Sequence, residues 1–186
     1  MFMGMTQVML ECGISQVGYK CYNVNMIESK IDKEIIGITG KYRINKIDSK
    51  TGSILSQSEW FSNLVVSSNT YGRNLIGRQM IGDTTYPIVL DSMTLSTDNT
   101  TPTTADTSLG GTEIATVLDL LTITSSGQAN IITFSGFYTD VGLPNDTYYK
   151  IGIKMGGRLF TATLLAGEIV KDTGEEFRID YQITLN

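Results

Sequence analysis

The chain has 186 residues, 41% hydrophobic and 18% charged, with a mean hydropathy of +0.01. This suits one good core or two small ones and excludes the disordered class. Its net charge of −5 and pI near 4.7 argue against nucleic acid as a partner, because phosphate binding needs concentrated Lys and Arg. No polybasic run is present to hold an anionic membrane and no apolar stretch is long enough for a spanning helix, so no membrane partner is expected either.

In chain order, Met1–Leu10 is apolar enough to suggest a signal peptide. It lacks a basic start, and Glu11 stands where a small-residue cleavage site would be wanted. The segment is read instead as a buried strand or an arm that docks on a partner. Cys12 and Cys21 are the two cysteines. They are read as reduced thiols of a protein made in a cytoplasm, with a disulfide between neighbouring strands as the open alternative. Residues 1–40 alternate less regularly than the rest and are expected to form an N-terminal arm or small β subdomain.

From residue 41 on, period-two alternation dominates. Lys41–Ile47 reads as a strand, Asp48-Ser49-Lys50-Thr51-Gly52 as a turn, and Ser53–Trp60 as the returning partner. Leu64-Val65-Val66 is a short apolar run that closes this leading hairpin region, 41–66. Helix is expected in two places at most: a turn or two within Asn69–Met80, weakened by Gly72 and Gly77, and a short piece within Ser108–Ala115. Ile88–Leu95 predicts a strand. Ser96–Ser108 has almost nothing to bury and predicts a solvated Thr-rich loop.

Leu118–Thr124 and Ala129–Phe137 predict a second hairpin about Ser125-Ser126-Gly127-Gln128. Ile151–Ile153, Leu159–Leu165 and the last strand complete a third cluster. In that last strand Phe177, Ile179, Tyr181, Ile183 and Leu185 share one face, with Arg178, Asp180, Gln182 and Thr184 on the other. A chain that ends at Asn186 is expected to pair this strand inside the fold. Nineteen glycines among short strands fit an all-β, antiparallel, jelly-roll-like β-sandwich over residues 41–186.

Chemistry is sparse. The chain has no histidine, which removes Ser-His-Asp, Cys-His and histidine-metal designs together. Glu175-Glu176 is the most visible carboxylate pair, but it follows the Asp172-Thr173-Gly174 turn and is read as solvated. Asp119, Asp140 and Asp146 stand alone. Gly152-x-x-x-Gly156-Gly157-Arg158 lacks the ending of a phosphate loop, and Gly156-Gly157 reads as a two-residue hairpin turn. Asp98-Asn99 offers oxygen ligands for calcium without the spacing of a calcium loop. Trp60, Tyr138, Tyr148 and Tyr149 could stack on a sugar, but in an all-β chain such residues more often fill the core. The chain is therefore read as non-enzymatic, with no catalytic, cofactor-binding or metal-binding residues and no cofactor.

The stretch from Tyr86 to Asn186 resembles the β-sandwich modules of tailed-bacteriophage structural and tail-fibre (tail-collar) proteins. Met93–Pro102 is similar to a strand entering the family's Thr-rich segment, and Thr103–Glu113 resembles its "xxDTxLGxE" pattern. Asn130–Phe137 resembles the strand before the family's "EIGLF" element, which reads Tyr149-Lys150-Ile151-Gly152-Ile153-Lys154 here. Ile169–Leu185 resembles the closing strand, and Tyr42–Val65 a leading hairpin often found before the module. Three departures stand out: Ser96-Thr97-Asp98 replaces a glycine-rich turn, Lys150 replaces an acidic residue, and Lys154 replaces a Phe.

The resemblance implies a virion structural protein assembled in the host cytoplasm. Its expected place is the tail, as a fibre, collar or baseplate-associated adaptor. Its implied partners are other virion proteins and further copies of itself in a symmetric homo-oligomer. A capsid head decoration (cement) protein and a module that binds a host-surface glycan are the alternatives.

Overall fold

The computed structural model describes residues 12–15, 18–21, 37–126 and 129–185, with the backbone alone for 12–21. The readings made of Met1–Leu10, of the cysteine thiols and of the Gly127-Gln128 turn lie outside what is described. The chain divides into two units, Met1–Glu34 and Ile35–Asn186. In the first, β1 (Cys12–Ser15) pairs antiparallel with β2 (Gly18–Cys21), and the register sets Cys12 opposite Cys21.

The second unit is one antiparallel sheet built from β3 (Ile38–Asp48), β4 (Ile54–Gln57), β5 (Phe61–Val65), β6 (Leu90–Ser96), β7 (Glu113–Ser126), β8 (Ala129–Tyr138), β9 (Thr147–Met155), β10 (Arg158–Val170) and β11 (Glu175–Leu185). Around the sheet the order is β3-β11-β8-β7-β6-β9-β10-β5, and β5 pairs again with β3, so eight strands close a barrel. β4 continues the line of β5 along the far half of β3.

The all-β antiparallel class expected from the alternation is what forms. The expected jelly-roll-like sandwich gives way to a closed barrel, because two corner strands each pair on both sides. β7 pairs with β6 through Glu113–Val117 and with β8 from Leu118 onward. β5 pairs with β3 through Phe61–Asn63 and with β10 through Leu64 and Val65. A strand that passes from one layer to the next joins their ladders, as in orthogonal β packings.

The last strand behaves as its pattern predicts. β11 runs beside β3 in unbroken register from Glu175 opposite Asp48 to Leu185 opposite Ile38, and beside β8 on its other edge. Phe177, Ile179, Tyr181 and Ile183 are all buried. Inside the barrel Phe134 stacks on Tyr181 at 5.1 Å, which suits the offset preference of aromatic rings. The Tyr181 hydroxyl accepts from Asn63 Nδ2 and donates to Thr161 Oγ1 at 2.9 Å, and Thr161 Oγ1 also accepts from Ile153 N. A buried hydroxyl must find such partners, and here they link β5, β11, β10 and β9 through the interior.

Helix α1 (Arg73–Met80) lies between β5 and β6, where a turn or two was expected, and buries Leu75 in the core. The helix expected within Ser108–Ala115 does not form. Gly110 and Gly111 carry φ of 77° and 58°, the left-handed region that ends regular structure. The residues after them join β7 instead. The Gly156-Gly157 turn does form between β9 and β10, with φ of 57° and 72°, the twist a two-residue hairpin requires.

Candidate functional site: the open apolar end of the barrel

The feature that sets this molecule apart from a sealed barrel begins at a bulge in β7. The β7–β8 register shifts between Asp119 and Thr122, one extra residue that bends the strand. Before the bulge, Ile114 and Leu118 pack on the core. After it, Ile123 sits opposite Ile132, which also packs on the core. Directly opposed residues project on the same face, so Ile123 points inward. It is nevertheless 71% exposed, and Leu121 is 51% exposed.

The reason lies in the neighbouring strand. β6 contributes its last partner to β7 at Ser92, opposite Val117. Among the described residues, the edge of β7 from Leu121 to Ser126 that faces away from β8 has no strand partner. Beside it lies a cavity of about 730 Å³. Its walls are β7, the segment entering β6, α1 and the interior of the sheet, with Ile76, Val89, Leu121, Ile123, Phe160 and Leu185 among the lining side chains. Every lining residue but Thr122 is apolar. Met80 and Ile81, at the end of α1, are also exposed. An exposed apolar cavity of this kind marks a place where something else sits.

None of the carboxylates read from the sequence lines this cavity, although Asp119 stands at the bulge in β7 beside it. Glu175 and Glu176 are consecutive on β11 and so project to opposite faces. The reading that put both in water at a loop tip is corrected for Glu175, which lies 2.6 Å from Lys46 Nζ with its side chain 17% exposed. Asp140 accepts from Lys171 Nζ at 2.6 Å and from Gly174 N at 2.9 Å, contacts that hold its carboxyl below the usual range. The Lys171 side chain is fully buried, and this group ties the β10–β11 connection to the loop before β9. Asp146 Oδ1 accepts from Thr147 N.

Asp98 does not stand open to calcium. The Lys150 ammonium bonds its Oδ2, and that bond and the Thr100 hydroxyl depress its carboxyl. Lys150 is almost wholly buried and also donates to Leu109 O at 3.0 Å. The Thr-rich loop is thus solvated along its outer edge, as expected, yet pinned from below. Among the described residues, no group of three or more Cys, Asp or Glu is placed to hold a metal, and no helix is long and apolar enough to cross a membrane. Of the four aromatics considered for stacking on a sugar, Tyr138 and Tyr148 are buried. Trp60 is partly exposed, with Lys41 Nζ 5.1 Å and the Arg43 guanidinium 4.9 Å from its ring.

A second polar group was not legible in the sequence. On the outer face, Asp180 is 4% exposed. Its Oδ2 accepts from Arg43 Nη2 at 2.8 Å and Asn45 Nδ2 at 3.1 Å, and its Oδ1 from Ser135 Oγ and Arg178 Nε, each at 2.9 Å. Burial alone would raise its pKa, but the two guanidiniums and their neighbours outweigh it and leave the carboxyl depressed. With four donors its accepting capacity is filled, so it staples β3, β11 and β8 and offers nothing to a ligand.

Sequence reading missed Leu121, Ile123 and Val89 as surface residues of consequence. The one available signal is the Leu120-Leu121 doublet, which breaks the alternation at the bulge. Compared with protein families, with curated proteins and with solved structures, the chain matches none of them.

Proposed function

We propose that this chain is a structural subunit of a tailed-bacteriophage particle, placed at the tail as a fibre, collar or baseplate-associated adaptor and working in several symmetric copies. The observation that carries the structural half is the open barrel end. An apolar cavity beside a strand edge that has no partner among the described residues is a poor surface to leave in water and a good one to bury against another protein. The phage half is supported by the order of motifs from Tyr86 to Asn186.

Light scattering on the purified chain, together with protein composition of purified particles, tests the reading. A defined oligomer that co-purifies with particle tails is the expected result. A monodisperse monomer absent from particles would overturn it.

A further inference from the structure

We propose that Lys171 and Asn145 become joined by an intramolecular isopeptide bond, formed once per chain when the lysine amine attacks the side-chain amide, with Asp140 as the proton carrier. Nothing in it depends on the phage reading: the three side chains meet where the β8–β9 connection reaches the end of β10.

Amine, carboxylate and carboxamide lie within reach of one another. The Lys171 side chain is fully buried. Its Nζ donates to Asp140 Oδ1 at 2.6 Å, to Asp172 O at 2.7 Å and to Asn145 Oδ1 at 3.3 Å. The last contact is long for a hydrogen bond. The carbonyl carbon lies one C=O bond, about 1.2 Å, from that oxygen. A small turn of the amide therefore brings nitrogen and carbon to the roughly 3–3.5 Å of a near-attack geometry. Both partners are also held in place. Lys171 N donates to Asp146 O at 3.0 Å, Asn145 Nδ2 to Thr173 Oγ1 at 2.8 Å, and Gly174 N to Asp140 Oδ1 at 2.9 Å.

The step balances within the cluster. Asp140 takes a proton from the ammonium, which turns a charged pair into two neutral groups, and shielding of the amine from water favours that form. The freed lone pair forms the Nζ–Cγ bond while the carbonyl electrons move to Oδ1. Their return breaks the Cγ–Nδ2 bond. A second proton leaves Nζ, and both protons end on the departing nitrogen. It leaves as ammonium, with Asp140 again a carboxylate and no oxidant, reductant or co-reactant consumed. The contacts that hold the Asp140 carboxyl low keep the neutral pair a minor form, so the reaction is slow. Asn145 is exposed on its outer side, however, and ammonium lost to water does not return. Groups held together for the life of the chain need react only once.

The other lysines fit less well. Lys150 is almost wholly buried, but its Nζ meets Asp98, Thr100 Oγ1 and Leu109 O, none of them a carboxamide. Lys46 and Lys154 pair with Glu175 and Glu113 where water still reaches the amine. A bond from Lys171 to Asn145 would close a ring of chain around β9 and β10, whose ends already meet at Thr147 and Val170. That hairpin could then not separate fully when the rest of the barrel unfolds.

The test uses the full chain, incubated folded, then denatured and reduced for whole-protein mass spectrometry and peptide mapping. The expected mass is that of the sequence less one ammonia, with a branched peptide joining Asn145 to Lys171. Lys171→Met and Asn145→Ala should each restore the full mass. Asp140→Ala should form the link about a hundredfold more slowly, read as the linked fraction over time. The measurement on the unsubstituted chain is decisive by itself and needs no variant to fold. A chain still at its full sequence mass after prolonged incubation overturns the proposal and leaves an ordinary buried ion pair. Loss of ammonia without the branched peptide, or a bridge to Asp140 with loss of water, overturns it as well. Linkage at the parental rate in Asp140→Ala refutes the proton-carrier role.

Discussion

Replacing Asp180 by Asn separates the charge of the outer-face network from its shape. Each Asp180 oxygen accepts two donors, so an amide NH₂ in place of either oxygen meets donors where an acceptor stood. The Ser135 hydroxyl can rotate to accept, and Arg178, 47% exposed, can turn to water at little cost. What remains lost is the charge assistance to Arg43 and Asn45, of which Asn45 is 3% exposed. Hydrogen bonds to a charged group contribute about 1.5–3 kcal/mol, and a single such loss is the expected net effect.

For a folded unit near 150 residues this corresponds to a melting point lower by roughly 4–10 °C. Trp60, the single tryptophan, stands over Arg43, so its fluorescence follows the network through a thermal or urea transition. The pH dependence gives the sign. The Asp180 pKa is depressed in the folded state, so its stabilisation is complete above the unfolded carboxylate value near ~4 and is lost as pH falls through the folded value. The difference between parent and variant should be full at neutral pH and shrink in acid. A melting point within about 2 °C of the parent at neutral pH would refute the argument, as would a difference that grows on acidification.

Lys150→Met keeps the length of the side chain and removes the ammonium that holds Asp98, Thr100 and Leu109 O. A loss of about 2–4 kcal/mol is expected, toward the low side for a buried pair because Asp98 is 24% exposed. Faster proteolysis within residues 97–112 checks it, and unchanged cleavage there would count against the anchoring role. Gly157→Ala should cost about 1–2 kcal/mol for the left-handed backbone alone, since nothing lies within 4 Å of its added Cβ. Gly156→Ala should cost clearly more, because its Cβ would fall 2.4 Å from Pro87 O. Urea midpoints for the two variants settle the order, and equal losses would refute it.

Much of this molecule was determined by the sequence itself, wherever the physical cause is local. Alternation at Phe177–Leu185 dictates a half-buried strand, because successive side chains project to opposite faces. Asp48–Gly52 and Gly156-Gly157 carry the chemistry of their turns in their own residues. The missing histidine limits the reactions open to the chain before any fold is known. Tertiary structure decided the rest, because it depends on which strand meets which. Asp180 belongs to the solvent face by its alternation and is buried only because Arg43, Asn45 and Ser135 arrive from β3 and β8. Lys150 and Lys171, ordinary surface residues by type, are buried because loops fold over them. The barrel itself rests on β5 and β7 pairing on both sides. The open end exists because β6 stops pairing at Val117 while β7 continues, a mismatch of strand lengths that no single segment of the sequence contains.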